Sequence, residues 1–347
     1  MKEIRISRME EGQRFLKWLE KYLDAAPRSF FYKMLRKKNI TLNGRKADGS
    51  EALKAGDQVR FFLSEETIEK FRSASGKEAK SIPLDVIYEN RDVIILNKPA
   101  GMLSQKASPL DVSLNEYLTA YLLEKGEITK EELERFRPAL CNRLDRNTSG
   151  LITGGKTAAG LKEMSRLLRE RQVHKYYRCF VKGRLEGETH LKGFLKKDTG
   201  KNQSQILPGS DEDGKPVETR FQSVKTFEDC TLLEVLLVTG RSHQIRAHLA
   251  SIGHPLLGDP KYGDPALNQV LRKKYGIRCQ LLHAYRMEFP RMEGTLSCLS
   301  GRTFTAPQPE IFEKMIEEEK RKRGKRSKDR IERGEGDRIW RPGIPED

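Results

Sequence analysis

Asp145 stands in the segment Asn142-Arg-Leu-Asp-Arg-Asn-Thr-Ser-Gly150, with Arg143 and Arg146 close on either side and two hydroxyl residues just beyond. Nearby cations hold a carboxylate ionised, and hydroxyls and backbone amides orient it, so this loop can present a charged nucleophile or base. The same letters also fit a surface ion pair. A second cluster, Gly240-Arg-Ser-His-Gln-Ile-Arg246, carries Arg241, His243 and Arg246, which suit contacts to phosphate or bracing of the local backbone. Gly150-Leu-Ile-Thr-Gly-Gly-Lys-Thr157 has the letters of a nucleotide-binding phosphate loop, but charged and polar residues precede it where a buried apolar strand is needed. His243, His248 and His254 are five and six residues apart, which does not put ligands on one helical face, so no metal site is expected.

The flanking sequence must hold these loops. Residues 84–88 and 93–97 read as strands, and 114–125 and 157–170 as helices, the second with Leu161, Met164, Leu167 and Leu168 on one face. Further strands are expected at 176–182, 220–225 and 231–239. Residues 82–316 therefore predict an α+β domain built on a mixed, largely antiparallel sheet. Residues 1–63 predict a smaller αβ domain. Phe15, Leu16, Leu19 and Leu23 recur at helical spacing, Pro27 opens a second helix, and strands follow at 39–44 and 58–63. Between the two, residues 64–81 are polar and read as a linker.

With 66 Lys and Arg against 50 Asp and Glu, the formal charge is +16, which points to a polyanionic partner, nucleic acid before acidic membrane. Residues 1–63 hold 15 basic and 8 acidic side chains, and 320–333 hold 9 and 2. Arg28, Lys33, Arg36, Lys37 and Lys38 line the second helix and its exit, whereas residues 317–347 lack core-forming residues and read as a flexible basic tail. No apolar run reaches membrane-spanning length and the N-terminus lacks a secretory pattern, so a cytoplasmic monomer without membrane association is expected. The five cysteines are scattered and never form CxxC, which fits reduced thiols.

Four segments in one order carry a resemblance: Leu96-Asn-Lys-Pro-Ala-Gly101, the Asp145 segment, Lys175-Tyr-Tyr177, and Gly240 to Arg246 with Gly253-His-Pro-Leu-Leu-Gly-Asp-Pro-Lys-Tyr-Gly263, followed by Leu282-His-Ala284. The set resembles the RluA, RluC and RluD family of RNA pseudouridine synthases over residues 82–316. Residues 1–63 resemble the small RNA-binding domain named after ribosomal protein S-four.

The resemblance implies isomerisation of uridine to pseudouridine, with large-subunit ribosomal RNA as the leading substrate. No cofactor is implied, because leaving group and acceptor are the same base. Asp145 becomes the catalytic aspartate, Tyr177 the tyrosine stacking on the target base, Arg246 the partner of the aspartate and Leu282 the apolar wall of the uracil pocket. Arg143, Arg241, His243 and Asn142 become substrate contacts, and Arg28, Lys33, Arg36, Lys37 and Lys38 RNA contacts. Asp145 has three routes open to it: attack on the anomeric carbon, addition to the ring, or removal of the ribose 2′ proton. Asn142 stands where the family usually has His, and Gly154-Gly155 where larger apolar residues are usual. The alternative is a catalytically silent RNA-binding or ribosome-assembly protein on the same fold.

Overall fold

In this computed structural model the described residues are 1–72, 81–108, 111–198, 200, 203–207 and 214–332, the side chains of 323–332 excepted. The N-terminal module is a three-stranded antiparallel sheet, β1 (Lys2–Arg5), β2 (Ile40–Leu42) and β3 (Gln58–Phe61), with β3 central, covered by α1 (Phe15–Tyr22) and α2 (Arg28–Arg36). Phe15, Trp18, Leu19, Phe31, Leu35 and Phe61 fill its core. Two helical stripes close over one face of the sheet, as the apolar spacing requires.

The polar stretch expected as a linker instead begins with a helix, α3 (Glu65–Lys70), capped by Ser64, whose hydroxyl accepts from the Thr67 amide at 3.3 Å. Its Ile68 is buried and, with Phe71, joins the module's core, so the module runs at least eight residues past Leu63. Two apolar side chains sufficed to dock a stretch whose average composition is polar. Residues 73–80 of the expected linker lie outside the described residues.

The module also packs on the second domain. Glu10 is fully buried; its carboxylate accepts from Trp18 Nε1 at 2.5 Å and the Ser7 amide at 2.8 Å and lies 3.6 Å from Arg135. Met9 packs into the second domain's core, and Lys21 lies 5.6 Å over the Phe136 ring.

The second domain is one mixed sheet. Its strands are β4 (Val86–Glu89), β5 (Val93–Lys98), β6 (Ala139–Leu140), β7 (Ser149–Gly155), β8 (His174–Lys182), β9 (Glu188–Asp198), β10 (Gln203–Leu207), β11 (Lys215–Thr226), β12 (Cys230–Leu237), β13 (Leu282–Glu288) and β14 (Thr303–Thr305). The order is β10-β9-β11-β12-β8-β13-β7-β5-β4, with β14 against β13 and β6 against β7. Of the pairs formed by these strands, β13 with β7 is parallel and the others are antiparallel. Helices α4 (Leu114–Glu124), α5 (Lys130–Leu133), α6 (Ala158–Arg169), α7 (Gln244–Ser251), α8 (Pro265–Tyr275) and α9 (Glu310–Glu332) cover it.

The phosphate-loop letters are spent on packing. Residues 149–155 form β7, paired with β5 on one side and with β13 and β6 on the other, and Thr157 caps α6 by accepting from the Gly160 amide at 3.0 Å. A Cβ at Gly155 would lie 2.4 Å from Leu161 Cα, so glycine is there to let α6 approach. Lys156 is buried in an ion pair with Glu89 at 2.7 Å and Glu127 at 2.5 Å, leaving no cation for a nucleotide.

The tail also departs from expectation. Phe312 and Met315 of α9 are buried against Phe180, Phe227 and Leu271, and the helix continues past Glu317. Glu319 is buried beside Lys322, so the described start of the tail is docked; residues 333–347 lie outside the described residues.

Two buried imidazoles make the domain acid-sensitive. Burial lowers His248 and His283 to about 4 from an ordinary 6.5. Below pH 6.5 the unfolded chain takes up protons that the folded chain refuses until pH 4. Stability is thus complete above pH 6.5 and falls on acidification, by up to about 1.4 kcal/mol per pH unit for each imidazole. Urea unfolding at pH 7.5 and 5.5 should show a lower midpoint at 5.5 that His283→Gln partly removes; an unchanged midpoint would mean these rings are solvated.

Candidate active site

Asp145 lies in the turn between β6 and β7, and that turn is held from three sides. Ser104 Oγ donates to the Leu144 carbonyl at 2.8 Å and accepts from the Leu144 amide at 3.1 Å. Lys98, at the end of β5, is fully buried and its ammonium donates to the carbonyls of Pro99, Met102 and Arg146 at 2.8, 2.9 and 3.0 Å. Burial lowers Lys98 to about 8, with Asp145 opposing the shift. The Arg146 carbonyl takes the Gly101 amide at 2.9 Å, and Arg146 Nε returns a bond to the Gly101 carbonyl at 3.0 Å. The Leu96 to Gly101 segment is therefore the floor on which the aspartate loop rests.

The parallel strand pair sets the loop's exit. Ser149 lies opposite His283 in β13, and its hydroxyl bonds His283 Nδ1 at 2.9 Å. Gly150 has φ +106°, and a Cβ there would stand 2.2 Å from the Ala284 carbonyl oxygen. No other residue allows the aspartate loop to enter the sheet beside β13.

Across the loop, α7 presents Arg246. Its Nη1 donates to Asp145 Oδ2 at 3.0 Å, while Nε and Nη2 grip Asp259 at 2.7 and 2.8 Å. Burial works against the guanidinium's charge, but Asp259 and Asp145 outweigh it and raise its pKa, so Arg246 stays protonated. His243, which opens α7 with φ 57°, places Nε2 3.7 Å from the same Asp145 oxygen and Nδ1 3.0 Å from the Tyr262 hydroxyl. Burial lowers its pKa, with Asp145 opposing, which leaves the ring neutral at pH 7. Asp145 keeps 28% of its side chain exposed, whereas Arg246 keeps 5% and Asp259 none. The open member of this buried charge network is the one carboxylate able to meet a substrate.

Tyr177 in β8 is buried, and burial, then the nearby Asp145 charge, pushes its phenol up. Leu282, opposite Cys179 on the neighbouring β13, is buried in the same core. The sequence therefore brought Asp145, Arg246 and His243 into contact, with Tyr177 close enough for its phenol to feel the Asp145 charge.

Asn142 Oδ1 accepts from the Thr153 amide at 2.8 Å and hydroxyl at 3.0 Å, so its oxygen braces β7. Arg143 and Arg241 are exposed beside the site. On α2 and its exit, Lys33, Arg36, Lys37 and Lys38 are exposed, while Arg28 is paired with Glu20 at 2.7 Å and has its charge matched. Lys98 and Asp259 stand within the motifs without a role that local sequence assigns; a lysine and an aspartate inside otherwise apolar or glycine-rich runs are the available signal. Among the described residues no cluster of three His, Cys, Asp or Glu can hold a metal ion, and no helix is long and apolar enough to cross a membrane.

A family model described as RNA pseudouridylate synthase matches residues 92–251. The ribosomal large subunit pseudouridine synthase C of Vibrio cholerae is 32% identical over 282 residues, covering 80% of this chain and 85% of that protein. The protein of that name from Escherichia coli is 31% identical over 318 residues, covering 86% and 96%. Among solved structures, human RNA Pseudouridylate Synthase Domain Containing 4 shares the fold, with TM-score 0.53 and 20% identity over 66% of this chain and 90% of that one. The ordered motifs, the sheet that carries them and the relatives' similarity over most of the chain agree, and the chain belongs to the family of RNA pseudouridine synthases.

Proposed function

We propose that this enzyme isomerises uridines of large-subunit ribosomal RNA, with Asp145 as the acting carboxylate. The observation that carries the reading is the single open carboxylate, held by Arg246 and faced by His243 in an otherwise buried network. The printed names of the relatives supply the RNA class. In the reaction the bond from the ribose C1′ to N1 breaks, the uracil turns, and C1′ bonds to C5. The C5 proton leaves and N1 gains one, so nothing is oxidised and no co-reactant is consumed. Asp145 joins C1′ transiently, adds to the ring or takes the 2′ proton. Tyr177 and Leu282, buried on adjacent strands, are the stacking ring and the pocket wall. A stacked uridine must be extruded to reach them, at about a few kcal/mol, offset by stacking and phosphate contacts. Mapping pseudouridine across ribosomal RNA with and without the gene tests the substrate; an identical map would remove it.

The N-terminal module supplies affinity in this reading, in the manner of the S-four type of RNA-binding domain. Its Lys33 and Arg36, exposed and without an ion-pair partner among the described residues, each meet a phosphate. Replacing both with Ala should lower the slope of log affinity against log salt by about 1 to 2 and leave the rate at saturating RNA unchanged. Filter binding at several salt concentrations checks this, and an unaltered slope would take these residues off the RNA.

A further inference from the structure

The basic face of α2 also carries an aromatic side chain, and contacts to phosphate alone leave that ring without a use. Tyr32 is 52% exposed, although Phe31 beside it is fully buried and Phe30 packs on the module's core. At about 100° per residue, Arg28, Tyr32 and Arg36 fall on one stripe along the outer side of the helix, with Lys33 next to it. All four side chains are exposed. The apolar face of α2 has already turned into the core through Phe31, Met34 and Leu35, so the helix gains nothing in packing from a phenol ring set between two arginines.

The surroundings of the ring suit a flat partner. Ser29, one turn before it, is small, and among the described residues no ring or cation lies over Tyr32. Tyr22 of the same module differs, since Lys2 and Arg72 stand over its ring at 5.7 and 5.4 Å. Arg28 is anchored: its Nε donates to Glu20 Oε1 at 2.7 Å, and Lys17 holds the other Glu20 oxygen at 2.8 Å. Glu20, and then Tyr32, raise the Arg28 pKa, which keeps a charged guanidinium beside the ring. With its charge matched by Glu20, Arg28 is a poor contact for phosphate, but its planar group can still stack.

We propose that Tyr32 is a base-stacking residue that gives the N-terminal module a site for one unpaired nucleobase of its RNA, with Arg28 as the side wall and Lys33 and Arg36 on the flanking phosphates. The inference rests on α2 being the RNA-binding face of the module. Bases within a duplex have both faces covered by their neighbours and cannot reach a tyrosine on a helix, so the partner is a loop, a bulge or a strand end. Stacking releases no counterion, so the affinity it adds is one that salt leaves in place.

The test uses the full-length protein and two fluorescently labelled RNAs, a short single strand of mixed sequence without self-pairing and the same strand annealed to its complement, titrated by anisotropy at several salt concentrations. Tyr32→Ala should weaken binding of the single strand about 10-fold with the salt slope unchanged, and Tyr32→Phe should keep wild-type affinity, because a phenyl ring also stacks. Affinity for the duplex should be the same in all three proteins. Tyr32→Ala holding the single strand as tightly as wild type, Tyr32→Phe losing as much as Tyr32→Ala, or equal losses on single strand and duplex would each overturn the proposal.

The ring is exposed, so neither substitution removes a core contact. The double replacement of Lys33 and Arg36 with Ala separates the layers. An unaltered salt slope in that variant takes α2 off the RNA and removes the underlying reading, whereas an altered slope there beside wild-type single-strand affinity in Tyr32→Ala removes this inference alone.

Discussion

In cells whose sole copy carries Asp145→Asn, pseudouridine at the target positions should fall below detection, and the purified variant should lose about 1,000-fold or more in rate. Asn keeps the size of the side chain and can still accept the Arg246 hydrogen bond, but it has no charge with which to attack C1′ or remove a proton. The structure adds why the fold should survive. Arg246 retains its two-pronged bond to Asp259, so no buried cation is abandoned. The unfolding midpoint should stay close to wild type, and RNA affinity should be unchanged or slightly higher, as a negative charge near phosphate is removed. Wild-type levels of pseudouridine in the variant, with no second enzyme able to supply them, would end the assignment.

Arg246→Met should behave quite differently, although both residues belong to one ion pair. From sequence, Arg246 is a partner of the catalytic aspartate, and its loss should reduce activity more than RNA affinity. The structure gives it a second duty, because it forks onto Asp259, which has no exposure to solvent. Removing one member of a buried pair leaves the other as an uncompensated charge, at about 3–5 kcal/mol. Arg246→Met should therefore lose activity and also unfold at markedly lower urea, while Asp145→Asn does only the first. Replacing Asp259 by Asn in the same chain should restore much of the stability and none of the activity. An Arg246→Met protein as stable as wild type would mean that Asp259 finds water or another cation.

The motifs were legible because chemistry needs particular side chains in a particular order, and Asp145, Tyr177 and Arg246 each lay in a segment that marked itself. The strands and helices nearest them were legible through periodicity: Thr157 and the apolar stripe from Leu161 to Leu168 gave α6 almost to the residue. Misreadings arose where average composition hid a few decisive contacts. Ile68 and Phe71 dock a polar stretch, and Glu319 is buried in a helix whose sequence is mostly charge. Asn142 stands in the catalytic segment, and its side-chain oxygen is taken up by Thr153, a pairing that no local pattern reports.

The sequence by itself determined the kind of enzyme and the sheet-and-helix composition of its main domain, and it singled out the carboxylate proposed to react, since these depend on residue type, order and local period. Tertiary structure alone decided which groups share the Asp145 oxygen. Arg246 lies 101 residues from Asp145 and 13 from Asp259, and no local period reports either pairing. Only the parallel entry of β7 beside β13, made possible by Gly150, and the glycine-bounded turn at 258–263 bring the two carboxylates onto one guanidinium. Burial then does the rest: removed from water, the pairs are strong enough to fix geometry and too costly to leave incomplete.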